Sequence, residues 1–196
     1  MSNRHARERF NTVVWPQSAS ILRVALILCG GNIAEAEDLT QETMLKAYRS
    51  IDRFSDGTDV RAWLMTILRN ARIDRLRSSA ASGGRHLNLD EIGAAEPSAE
   101  PNDAEWYHLG ESPEEILQSF SDAQVIDAMR SLPEEVRWTL LLVEVQQMDH
   151  RDAAKVLDVP VGTIKSRAHR GRQMLRQALL PLARQLRLAG SSEEEA

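Results

Sequence analysis

The chain has 196 residues, with 24 Lys and Arg against 29 Asp and Glu, for a formal net charge of −5. That length allows one medium domain or two small ones, and the mild acidity argues against a protein that coats nucleic acid indiscriminately, though not against a DNA reader whose acidic part faces another protein. The single cysteine, Cys29, excludes an internal disulfide and a cysteine zinc site, and no apolar run is long enough to cross a bilayer, since residues 21–29 are too few and Arg23 interrupts them.

Residues 1–9 form a polar tail that is expected to fray. They lack the pattern of a signal peptide, so a cytoplasmic location is expected. Residues 10–28 carry a helical pattern in Val13, Val14, Ile21, Leu22, Ala25 and Leu26, with Pro16 in an early turn or break and Gly30-Gly31-Asn32 ending the element. Cys29 is most simply a small core residue. Residues 34–51 predict the next helix, burying Leu39, Met44, Ala47, Tyr48 and Ile51. Asp38, Gln41, Glu42, Leu45 and Arg49 fall on its other side. A leucine ringed by carboxylates reads as a protein-docking face, or as a solvated face with one stray Leu, and the pattern alone leaves both open.

Residues 52–59, DRFSDGTD, are a turn-rich loop. Residues 60–77 are helical again, with Trp63, Leu64, Ile67, Leu68, Ala71 and Ile73 among Arg61, Arg69, Arg72, Arg75 and Arg77. Basic residues interleaved with an aromatic suit single-stranded nucleic acid. A core tryptophan with solubilising arginines fits equally well. Residues 79–112 are rich in Ser, Ala, Gly, Pro and carboxylates, and read as an acidic, flexible linker with an apolar spot at Trp106-Tyr107.

A second helical unit follows. Ser112-Pro113-Glu114-Glu115 is a helix start, with Ile116, Phe120, Ala123, Ile126 and Met129 as its stripe. Leu132-Pro133-Glu134-Glu135 restarts the chain into an apolar helix holding Trp138, Leu140, Leu141 and Val143. Residues 149–157 form a short helix with Asp149 as N-cap and the small Ala153 and Ala154 available for close packing. After the turn Asp158-Val159-Pro160, residues 159–192 contain no Asp or Glu. Ile164, Ala168, Gly171, Leu175 and Leu179 make one apolar stripe, while Lys165, Ser166, His169, Arg170, Arg172 and Gln173 point away. Residues 149–179 therefore read as a helix-turn-helix whose second helix enters a DNA groove. A solvated basic face on a bundle helix is the plainer alternative. Residues 189–196 are a polar, acidic tail.

Three segments, in this order, resemble the extracytoplasmic-function type of bacterial sigma factor. Asp38-Leu-Thr-Gln41-Glu42-Thr-Met-Leu45-Lys46-Ala47-Tyr48-Arg49 resembles that family's polymerase-binding helix. Ala62-Trp63-Leu64 through Asn70 and Asp74-Arg75-Leu-Arg77 resembles its promoter-melting, −10-reading segment. Leu132-Pro133-Glu-Glu-Val-Arg137 with Pro160-Val161-Gly162-Thr163-Ile164-Lys165-Ser166-Arg167 resembles its −35-reading domain.

The resemblance implies an all-α chain: a sigma2-like domain at residues 10–78 and a sigma4-like domain at residues 113–188, joined by the linker. It implies that Asp38, Gln41, Glu42, Leu45 and Arg49 dock on the beta-prime clamp helices of RNA polymerase core. Phe54, Ser55, Asp56, Gly57 and Thr58, with Arg61, Trp63, Asn70 and Arg75, would hold the opened −10 strand. Lys165, Ser166, His169 and Arg170 would face −35 bases, and Thr163, Arg167 and Arg172 would hold phosphates. An anti-sigma factor is an expected partner, and neither a cofactor nor a metal is implied. The chain departs from the family pattern at Gln147, usually Gly, at Asp149, usually Ser, and at His150, often Tyr.

The rival readings are a sigma-like decoy that binds an anti-sigma factor without reading promoters, and a helix-turn-helix repressor working without polymerase. The decoy is opposed by the intact arginines of both basic segments, and the repressor by the lack of a dimerisation seam. An enzyme is disfavoured by scattered histidines, an unpaired Cys29 and the lack of a Gly-rich phosphate loop.

Overall fold

The computed structural model describes residues 3–55, 57, 59–81 and 122–193, and every regular element among them is a helix. Most of the expected linker, Trp106-Tyr107, the helix start at Ser112, and Asp56 and Thr58 lie outside the described residues.

The chain is helical from α1 (Asn3–Arg9) through a π turn (Phe10–Val14) and a 3-10 turn (Trp15–Gln17) into α2 (Ser18–Leu28). The expected frayed start is therefore a helix from Asn3 onward. It is anchored where Phe10, buried, meets Tyr48 edge-on at 5.3 Å. Pro16 accounts for the change of winding, because it has no N–H to give and its ring crowds the carbonyl four residues back. The C-terminus of α2 closes as a Schellman motif. Gly31 N–H bonds Leu26 O at 2.9 Å, Gly30 N–H bonds Ile27 O at 3.1 Å, and both glycines have positive φ, 85° and 61°.

Asn32 caps α3 (Ile33–Ser50). Its Oδ1 accepts from Glu35 N–H at 3.2 Å and its Nδ2 donates back to the Glu35 carboxylate at 2.9 Å. A single 3-10 turn (Ile51–Arg53) and a loop lead to α4 (Val60–Ala81), which runs past the expected end at Arg77. Asp59 caps α4 by accepting from Arg61 N–H at 2.8 Å. Helices α2, α3 and α4 pack on one another around Leu39, Leu64, Met65 and Leu68.

The second group is α5 (Asp122–Arg130), α6 (Glu134–Leu140, extended by a π turn at Leu141–Val145), α7 (His150–Leu157) and α8 (Val161–Glu193). Arg137 ties the first two together: its guanidinium donates to the carbonyls of Met129, Arg130 and Leu132, each at 2.8 Å. These are the last carbonyls of α5 and the turn after it, which have no N–H partner in their own helix and favour a cation. The apolar stripe of α8 seats on α6, with Ile164, Ala168, Gly171 and Leu179 buried and Leu175 half-buried.

The two groups share one core. Helix α5 lies against α2, α7 lies against α4, and one cluster of buried side chains runs through both halves, with Ala128 and Leu179 forming a smaller one beside it. A polar bond crosses the boundary, from Ser20 Oγ to Oε1 of Gln146, a residue that is 4% exposed. Arg72 turns toward this boundary, donating to Leu28 O at 3.2 Å.

Candidate nucleic-acid interface

The helix-turn-helix is built by two local devices. Asp149 adopts an extended conformation (φ −67°, ψ 158°) and its Oδ1 accepts from the N–H groups of Arg151 and Asp152, both at 2.8 Å. Those bonds, that of Asp152 foremost, hold the Asp149 carboxyl below the ordinary carboxylate range. Asp158 then stops α7 in the left-handed region (φ 56°, ψ 51°), its N–H bonded to Ala154 O. Pro160 O receives the N–H groups of Thr163 and Ile164, which starts α8.

With Ile164 and Ala168 buried, the register of α8 presents Lys165, Ser166 and His169 to solvent, while Thr163, Arg167 and Arg170 flank them half-exposed. His169 is paired with Gln173 at 2.7 Å, and Ser166 Oγ donates to Thr163 O at 3.0 Å. Arg172 is exposed but bound to Glu144 at 2.8 Å. A surface pair of that kind is weak and can be exchanged for a phosphate. The basic surface is also wider than α8. Arg151 and Lys155 of α7 line a groove with Asp158, Val159, Pro160 and Val161. Sequence reasoning passed over both, because on a short helix they alternate with Asp149 and Asp152; the signal was their position on the helix that crosses the DNA backbone in this motif.

The expected −10 residues divide. Ser55, Gly57, Arg61 and Asn70 are exposed, and Gly57 has φ 93° with open space around it. Phe54 sits deeper than the others. It is 6% exposed, with its ring 5.0 Å from that of half-buried Trp63, so it roots the loop from below and does not line the outer surface. Arg75 is tied back to Glu42 at 2.7 Å.

That bond also bears on the expected docking face. Asp38, Gln41, Leu45 and Arg49 share one exposed side of α3, with Leu45 48% exposed. Glu42 sits one step further round and faces α4. There it also takes Lys46 at 3.0 Å, and Lys46 reaches Asp74 at 2.9 Å. Burial alone would push the Glu42 carboxyl up, but the bonds from Arg75 and Lys46 outweigh it and the net shift is downward. The bond to Asp74, then that to Glu42, raises the Lys46 ammonium. Cys29, half-buried, has its thiol pushed up by burial against the opposing pull of Arg72.

Residues 19–82 match the profile of Sigma-70 region 2, and residues 122–175 match that of Sigma-70, region 4. The chain is 34% identical over 152 residues to the ECF RNA polymerase sigma-E factor of Haemophilus influenzae, covering 74% of this chain and 75% of that one. The chain belongs to the ECF sigma factors. It is 32% identical over 174 residues to the ECF RNA polymerase sigma factor SigE of Mycolicibacterium smegmatis, covering 89% of this chain and 63% of that longer protein. Among solved structures, the sigma factor RpoE of Bartonella quintana, in complex with the anti-sigma factor NepR, matches with a TM-score of 0.66 at 25% identity over 87% of this chain and 96% of that one. In this sigma factor the region 4 match ends within the basic helix α8, and the Glu42–Arg75 bond lies wholly within region 2.

Proposed function

We propose that this chain is a dissociable promoter-specificity subunit of bacterial RNA polymerase. The observation that carries this is the pairing of an uncovered Leu45 flanked by Asp38, Gln41 and Arg49 on α3 with an uncovered Lys165, Ser166 and His169 on α8. The first surface suits a protein partner and the second a DNA groove. In this reading Asp38, Gln41, Leu45 and Arg49 dock on the polymerase clamp helices. Ser55, Gly57, Arg61 and Asn70 meet the opened −10 strand. Lys165, Ser166, His169 and Arg170 face −35 bases while Thr163, Arg167 and Arg172 meet phosphates, with Arg151 and Lys155 added to that set.

The domains assigned to these tasks are residues 10–78, extended back over α1, and residues 113–188. In this reading the protein works in the cytoplasm, alongside polymerase. The anti-sigma partner of the Bartonella quintana relative supports a partner of the same kind here. The mechanism is binding and strand capture, with no covalent step.

Loading the purified chain onto core polymerase and sequencing the promoter DNA retained tests this reading. A shared −35/−10 pattern with transcripts starting downstream is expected. Failure to bind core would overturn it. Binding without any start site would favour the decoy.

A further inference from the structure

Arg9, the last residue of α1, lies against the root of the loop that follows α3. Its Nη1 donates to Ile51 O at 3.2 Å and its Nη2 to Phe54 O at 2.6 Å. Its guanidinium carbon lies 5.4 Å from the centre of the Phe54 ring, and that ring is in turn 5.0 Å from Trp63. Ile51 and Phe54 are the two ends of the 3-10 turn, closed by the bond from Phe54 N–H to Ile51 O at 3.1 Å. One planar cation therefore fixes both ends of the turn and covers the aromatic ring beneath the loop. The neighbouring Phe10 is buried against Tyr48, so the helix carrying Arg9 is itself held to the end of α3. Beyond Phe54, Ser55 is exposed, and Gly57 is exposed in open space with positive φ.

We infer that Arg9 is a positioning residue for −10 readout. It sets the conformation in which Ser55 and Gly57 are presented to the unpaired strand. The inference rests on the proposed role of that loop. Extruding a base from the stack is unfavourable, and a pocket that is already ordered repays more of that cost than one that must order on binding. The two-pronged bond with stacking is within reach of a guanidinium and beyond a lysine ammonium, which is a point charge without the planar fork.

The test uses the full chain on core polymerase, with Arg9→Ala, Arg9→Lys and, as a control from the same helix, Arg4→Ala. Single-stranded oligonucleotides carrying the −10 segment, with each base varied in turn, report affinity and base preference. Core capture and −35 duplex binding are measured alongside. Arg9→Ala should lose about tenfold in affinity for the preferred oligonucleotide. It should also flatten the preference among bases and leave core capture and −35 binding within about twofold of the unaltered protein. Arg9→Lys should recover part of the affinity through its charge and little of the preference, and Arg4→Ala should keep both. If Arg9→Ala does not fold, Arg9→Lys alone decides. Unaltered base preference in the variants overturns the inference, as does an equal loss of core capture. An unaltered chain that shows no base preference would instead sink the role assigned to the loop, and the inference with it.

Discussion

A Cβ added at Gly171 would lie 2.9 Å from Cγ of Leu140 and 2.8 Å from a methyl of Val136. Helix α8 approaches α6 this closely only because residue 171 has no side chain, and the reading helix takes its height above the domain from that contact. Gly171→Ala gains about 1 kcal/mol of helix propensity and incurs about 1–3 kcal/mol of overpacking. A net loss of stability is expected by thermal melting, with partial recovery in Gly171→Ala/Leu140→Val, which makes room.

Arg137 joins α5 to α6 through three carbonyls. Removing it strands acceptors in a half-buried site. Arg137→Ala should destabilise the chain by about 2–4 kcal/mol. Arg137→Lys should recover less than half, because an ammonium cannot span all three carbonyls. Denaturant unfolding separates the two, and a loss below about 0.5 kcal/mol would refute the capping role.

Gln147 stands in the left-handed region at φ 54°, with its side-chain amide donating to Glu144 O. Glycine adopts that conformation without steric conflict. Gln147→Gly should shift stability upward by a few tenths to about 1 kcal/mol, the loss of the side-chain bond and greater chain freedom offsetting part of the relief. An unchanged or lower melting temperature would mean that the amide bond outweighs the strain.

Two carboxyls contribute to the acid response. Glu42 and Asp149 both titrate lower in the folded chain than in the unfolded one. Their contribution is complete above the unfolded values of about 3.9 for Asp and 4.3 for Glu, and is lost as pH falls through the folded values. Stability should therefore fall with acid below about pH 4. Glu42→Gln and Asp149→Asn should each flatten that slope in denaturant titrations repeated across pH, and an unchanged slope would contradict the assignment.

The closed arrangement has a geometric limit. The −35 and −10 elements are about 25 base pairs apart by their positions, or about 85 Å at 3.4 Å per pair. A chain of 196 residues packed as one body is about 40 Å across. On the proposed reading the halves are expected to part on a promoter, breaking the Ser20–Gln146 bond. Fluorophores at exposed Ala19 and Gln147, in a Cys29→Ser background, should show high energy transfer in the free protein and low transfer on polymerase with promoter. Transfer that stays high on the promoter would refute separation.

Much of this architecture is legible from pattern alone. The stripe from Ile164 to Leu179 follows the helical period, and all its members are buried or half-buried. Asp149 as a cap follows from its chemistry and place, and Asn32 caps by the same rule. The burial of Phe54 is not legible, because a lone aromatic in a turn-rich loop has no period to say whether it points in or out. The pairing of Glu42 is not legible, because it lies only one residue beyond Gln41, and the crossing of α3 over α4, which no local pattern encodes, decides that it faces Arg75. The helix at Asn3–Arg9 is missed because its stability comes from Phe10, Tyr48 and Phe54, contacts distant in sequence.

The single core that runs through both halves gives the protein a threshold. Only the fraction of molecules that have swung apart can engage a promoter, so apparent affinity is the intrinsic value divided by that fraction's reciprocal weight in the population. Trimming an apolar residue where α5 meets α2, such as Ile126 beside Gly31, would raise the fraction. Such a variant would fire at lower cellular concentration than its parent while every residue facing DNA stayed unchanged. Basal leakiness, in this chain, is governed by grease between the halves and not by the letters it reads.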